Sequence, residues 1–306
     1  MITSLFRKST PLNYSLVAFL LLICFFMYQF QDSNWVNAIS LKMIILSVLL
    51  GILFVVNFIV KKNGLTKNSS YTILFYLLLL LFFPSLFNDF KLLLANFFLM
   101  MAMRRLISLQ SLKSPKEKIF DASIWIFVAS LFHFWCILFI LLVFISIIFH
   151  VSRDYRNWLL PFVAFFVIAT ISVLAAMIFD ITWIACFLEQ RKTNFQLDYF
   201  TNNYQNIALS VYVVTALYFV FSMIFSVTNK PLILQASFKK MIFAFFIGIV
   251  VFLISPEKNS TILVFTFMPL SVMATSNIEY SQSKMYQEIV SILFVILAFF
   301  CFFSQL

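Results

Sequence analysis

The side chains able to do chemistry in this chain are few, and most lie at the edges of apolar runs. Asp32, Asp89, Asp180, Glu189 and Asp198 share one side of the charge pattern described below. A carboxylate at a membrane–water boundary can act as general base toward a hydroxyl acceptor, or hold a divalent cation against a phosphate. Asp32 and Asp89, which follow the first and third apolar runs, are the candidate catalytic residues, although either would equally cap a helix at a wet end. Arg191 and Lys192 have the chemistry to grip a lipid phosphate, Arg by two parallel hydrogen bonds. As solvated loop charges they would need no such partner. His133, beside Trp135, is a further candidate base whose alternative is a purely structural place among aromatics.

Other chemistries find little footing. Cys24, Cys136, Cys186 and Cys301 show no paired spacing, which disfavours a disulfide framework or a metal site. His133 and His150 share no ligand spacing with a carboxylate. Gly51, Gly64 and Gly248 are the three glycines, so no phosphate-cradling loop can be written. No cofactor is therefore expected, a divalent cation at an outer carboxylate being the one small-ion role.

Apolar runs must position these groups. Of 306 residues, 63% are hydrophobic, 10% are charged and 43 are Phe. Splitting the chain at its runs gives about eleven candidate crossings of the roughly 20 residues a bilayer needs. With a cytoplasmic N-terminus, 16 of the 21 Lys and Arg fall in cytoplasmic gaps, the positive-inside pattern. The expectation is an all-α, polytopic membrane protein of nine to eleven helices, forming one transmembrane domain over 1–306. A net charge of +10 then serves lipid headgroups and orientation rather than nucleic acid. No cleavable signal peptide is read: Arg7 and Lys8 precede a run long enough to stay as an anchor.

In order, the expected spans are 14–31, 39–60, 70–87 and 91–103. A helical hairpin follows over 120–151, then 158–179, 206–227, 241–255, 261–277 and 289–304. The hairpin reading comes from length and flanks: the almost uninterruptedly apolar 32 residues 120–151 lie between Lys116, Lys118 and Arg153, Arg156, with the turn placed near His133-Phe134-Trp135. Lys239 and Lys240 are assigned to a cytoplasmic gap, and the spans are read as nearly free of ionisable groups. The cytoplasmic gaps are too short for a nucleotide-binding domain, so a substrate would be lipid-borne or small.

Two resemblances add to this. MITSLFRKSTPLNYSLVAFLL at the start, LLANFFLMMAMRRL (93–106), KIFDASIWIFVASLFHFW (118–135) and DYRNWLLPFV (154–163) together resemble an uncharacterised family of flavobacterial inner-membrane proteins. That resemblance implies a bacterial inner membrane and no particular activity. Over about the first 180 residues, the order of elements resembles polytopic glycosyltransferases of the GT-C type, which use polyprenyl-phosphate sugars. The resemblance implies a lipid-linked sugar donor used at the outer face. Together with the outer carboxylates and the lack of a nucleotide-binding domain, it gives a transferase in which Asp32 or Asp89 would be the base and Arg191 with Lys192 would hold the carrier phosphate. The chain departs from that family in its short first outer loop, its lack of a paired acidic motif and its lack of a large outer domain. A non-catalytic subunit of an envelope-assembly system, with membrane-protein partners, and a transporter of a neutral or lipidic substrate are the alternatives.

Overall fold

The computed structural model describes residues 2–31, 39–179, 187, 189–195, 202–256, 258–281 and 283–306. Among them every regular element is helical. The chain divides into two compact units, one of residues 1–93, 199–230 and 267–306, the other of 94–198 and 231–266.

The first unit holds α1 (Ile2–Phe6), α2 (Pro11–Gln29), α3 (Ile39–Lys62), α4 (Tyr71–Phe82), α9 (Asn203–Ser226), α11 (Phe267–Tyr280) and α12 (Lys284–Ser304). Its organising element is α4. All twelve residues are apolar or aromatic apart from Thr72, and all are buried. A helix apolar on every side has to be surrounded, and α2, α3, α9, α11 and α12 pack around it. At about 1.5 Å per residue it spans roughly 18 Å. It stops at Phe83 because Pro84 disfavours a helical residue before it, and a 3₁₀ segment, Pro84–Asn88, carries the chain on. The start of α2 shows the matching signals: Pro11 stands in its first turn, and the Thr10 hydroxyl accepts from the Asn13 N–H at 3.4 Å.

α5 (Phe90–Ser108) runs from the first unit's residues into the second's. The second unit also holds α6 (Pro115–Phe132), α7 (Ile140–His150), α8 (Arg156–Phe179) and α10 (Leu232–Ile254). α6 packs on α8 and on the 3₁₀ segment Phe134–Phe139, while α10 packs on the 3₁₀ segment Ser260–Thr266. Gly248 makes that last approach feasible: a Cβ there would lie 2.6 Å from Thr266 Cγ2. Small residues at helix contacts allow such closeness inside membranes.

Eight described segments are long and apolar enough to cross a membrane, and two shorter apolar ones, Tyr71–Phe82 and Phe134–His150, accompany them. The expected hairpin is present, with α6 ending at Phe132 and α7 leading back from Ile140. One boundary differs in a consequential way. α10 begins at Leu232, well before the expected 241, and so takes in Lys239 and Lys240. Lys240 is 0% exposed, and its ammonium donates to the Leu106 carbonyl oxygen at 2.6 Å. A cation satisfied by the last turn of α5 need not mark the end of a helix, which is why reading charge as a boundary failed there. Glu279, in the last turn of α11, is a further ionisable group within a span.

Candidate functional site

One end of the second unit gathers three of the residues singled out in the sequence. α6 is closed by His133, whose backbone is extended (φ −141°, ψ 107°). Its N–H donates to the Ala129 carbonyl and its carbonyl accepts from the Cys136 N–H, at 3.1 and 3.0 Å. With both sides of its backbone engaged, the imidazole is held against the Phe265 ring, 5.6 Å away. Nε2 lies 3.1 Å from the Ser255 hydroxyl. Ser255 is fully buried at the close of α10, where Pro256 ends the helix.

The Ser255 hydroxyl has one proton, and it goes to the Val251 carbonyl at 2.7 Å. Nε2 must then be the donor to Ser255, a tautomer assigned from the hydrogen-bond network. In the neutral ring this leaves the lone pair on Nδ1, which has no partner among the described residues. Two residues on, the Trp135 indole N–H is buried without an acceptor, which is uncommon for a buried donor.

Phe187 and Asn194 are tied to neighbours of both halves of this pair. Phe187 packs edge-on against Phe134, 5.4 Å between centroids, next to His133. The Asn194 N–H donates to the Ile254 carbonyl at 3.4 Å, next to Ser255. Between these anchors lie Arg191 and Lys192, both exposed. Lys192 stands 3.8 Å from Glu189, and Arg191 has no ion-pair partner among the described residues. Lys258 donates to the Phe252 carbonyl at 3.4 Å and to that of Leu253, so it occupies the negative end of the α10 dipole. Burial lowers its pKa from the ordinary lysine range.

The candidate carboxylates are placed differently. Asp89 belongs to the first unit, where its Oδ1 accepts from the Leu92 N–H at 3.4 Å in the manner of a helix cap for α5. Beside it, Gln29 Nε2 donates to Asn88 Oδ1 at 2.9 Å and to the Phe87 carbonyl at 3.2 Å. Asp32, Asp180 and Asp198 lie outside the described residues. Among the described residues no group of three or more His, Cys, Asp and Glu side chains comes together as metal ligands.

Sequence reasoning missed Ser255, whose pairing with His133 joins positions 122 apart in the chain. It also missed a polar cluster in the first unit. There Glu279 accepts from the Ser69 hydroxyl at 2.5 Å and from the Lys67 N–H at 2.9 Å. Lys230 donates to the Ser276 hydroxyl at 2.7 Å, and the Lys230 and Lys67 ammoniums lie 2.9 and 4.1 Å from the Tyr280 ring centroid. Burial pushes the Lys230 pKa down to about 8, Glu279 opposing this and Lys67 adding to it. The cluster fastens residues 67–69 and 230 to the end of α11. The clue available in the sequence was a lone Glu at the end of an apolar run.

Architecture and site together define a multi-pass, all-α membrane protein with a positioned imidazole and a cationic segment at one end of its second unit. The chain belongs to a family of unknown function (DUF6427), which it matches over residues 4–306. No curated protein and no solved structure matches it.

Proposed function

We propose that this protein transfers a sugar from a polyprenyl-phosphate carrier to a hydroxyl acceptor at the His133 end of the second unit, on the outer face of a bacterial inner membrane. The N-terminus is cytoplasmic in this reading, as the distribution of Lys and Arg favours. His133 Nδ1 takes the proton of the acceptor hydroxyl. The oxygen so freed bonds to the sugar's anomeric carbon while the bond from that carbon to the phosphate oxygen breaks. The departing polyprenyl phosphate gathers negative charge, which Arg191 and Lys192 receive. Ser255, accepting from Nε2, fixes the tautomer so that the lone pair is on Nδ1.

The observation that carries the reading is the pinning of Phe187 and Asn194 to the neighbours of His133 and Ser255. It supports the reading by holding residues that flank Arg191 and Lys192 against neighbours of His133 and Ser255. Asp32 and Asp89 remain candidates for the same proton, and substitution separates them from His133. In cells lacking the native gene, His133→Gln and the double substitution Arg191→Ala/Lys192→Ala are expected to abolish the surface glycan that the wild-type gene restores. Full restoration by His133→Gln with loss in Asp32→Asn or Asp89→Asn would move the base to that carboxylate. Restoration by all of these variants would end the transferase reading.

A membrane subunit is the second reading, and one observation favours it. Of the 24 residues of α8, the buried ones are Asn157, Pro161, Ala164 and Ala176. The remaining surface, with Phe162, Phe165 and Phe166 exposed, suits a partner helix as well as lipid. Crosslinking from α8 to a second membrane protein in cells would support this role.

A further inference from the structure

In the first unit, α2, α3 and Ile73 of α4 line an open cavity of about 330 Å³, with Tyr14 and Ala18 on one side and Leu50, Leu53, Phe54 and Asn57 on another. The α3 residues form a single stripe, continued by Lys61 four positions beyond Asn57, since residues three and four apart share a helix face. The Lys61 ammonium sits 4.5 Å from the ring centroid of Tyr14, which lines the cavity. The Tyr14 hydroxyl lies 2.5 Å from the Ser9 hydroxyl. Lys62, Arg7 and Lys8 are exposed nearby in the sequence at the same helix ends.

Asn57 is the odd member. It is half-buried within a helix long enough to cross the membrane, yet its amide makes no hydrogen bond to any described residue. An amide facing hydrocarbon without a partner costs about 2 kcal/mol or more, so a ligand able to bond to it would bind there favourably.

The dimensions identify that ligand. From Lys61 to Leu50 the stripe covers about 16 Å at 1.5 Å per residue, close to half of the roughly 30 Å hydrocarbon core. Along that length the chemistry changes in the order found in one leaflet. The cation stands at headgroup level, the amide about 6 Å deeper, and the aliphatic wall of Leu53 and Leu50 beyond. We infer that this cavity is a binding site for one anionic phospholipid, its phosphate on Lys61, its glycerol ester on Asn57, and an acyl chain between α2 and α3. Charge selects the anionic headgroup, since the charged side chains at these helix ends, Arg7, Lys8, Lys61 and Lys62, are all basic and exposed. The site lies apart from the residues proposed for transfer and does not depend on that reading.

The test is native mass spectrometry of the full-length protein in detergent, titrated with phosphatidylglycerol or with phosphatidylcholine of equal chain length. The wild type is expected to retain one phosphatidylglycerol in preference to phosphatidylcholine. Lys61→Ala should lower retention of phosphatidylglycerol about fivefold, the effect of one cation at the headgroup level, and leave phosphatidylcholine unchanged. Asn57→Leu should weaken both lipids, and Ala18→Trp, which fills the cavity and keeps every cation, should remove the retained lipid. Gel filtration checks the fold of each variant. If Ala18→Trp does not fold, Asn57→Leu decides. Equal retention of the two lipids by the wild type would overturn the proposal. So would phosphatidylglycerol retention untouched by the cavity substitutions, because the lipid would then sit elsewhere on the basic surface.

Discussion

Replacing Gly248 by Ala tests the packing that holds one wall of the His133 site. The added Cβ would stand 2.6 Å from Thr266 Cγ2, with the Phe265 backbone carbonyl carbon and oxygen at 3.4 and 3.5 Å. Those backbone distances are ordinary contacts, so the conflict is with one methyl group. Two terms oppose each other. Ala favours a helix over Gly by about 1 kcal/mol, whereas forcing an extra carbon into a packed contact costs about 1–3 kcal/mol. The steric term is the larger over most of its range, and the net loss of stability should be up to about 2 kcal/mol. Thr266→Ser removes the offending methyl and keeps the hydroxyl that donates to the Leu263 carbonyl at 2.5 Å. In that background Gly248→Ala should become neutral or stabilising. Unfolding of the four proteins of this cycle in detergent, followed by tryptophan fluorescence, measures the coupling directly. The same sign for Gly248→Ala in both backgrounds would refute the argument. Because Phe265 packs on His133, the single variant should also lose activity that the double variant recovers.

Two further predictions use other groups. Lys230 has a folded-state pKa of about 8 against its ordinary 10.5, so between these values the unfolded chain binds more protons and stability rises with pH. The unfolding midpoint should climb from pH 8 to pH 10 relative to a Lys230→Met variant, and parallel curves would contradict the placement of this amine. Ser255→Ala removes the acceptor for His133 Nε2, a loss of about 1–3 kcal/mol. Sugar transfer should slow about tenfold or more with little change in KM for the carrier, and Ser255→Thr should restore it. An equal fall in both variants would show that the hydroxyl does not position the ring.

Local signals carried much of the fold. Pro84 and Pro256 stop elements where a residue before proline resists the helical region. The 32-residue apolar stretch with basic residues on both flanks pointed to a turn at His133, where α6 does end. Long-range pairing was out of reach of such signals. Nothing near Ser255 indicates that a histidine 122 positions earlier will meet it, and nothing near Lys240 reveals that the Leu106 carbonyl will receive its charge. Glu279 was passed over because one acidic residue at the end of an apolar run looks like a solvated terminus. Its partners Ser69 and Lys67 come from a distant loop.

The most direct test of the transfer chemistry is reconstitution. Wild-type protein in liposomes, given a polyprenyl-phosphate sugar and a hydroxylated acceptor, should release polyprenyl phosphate in step with glycosylated product, and the His133→Gln protein should release neither. Equal release by the two proteins, or none by a folded wild type across a panel of sugars and acceptors, would contradict the account.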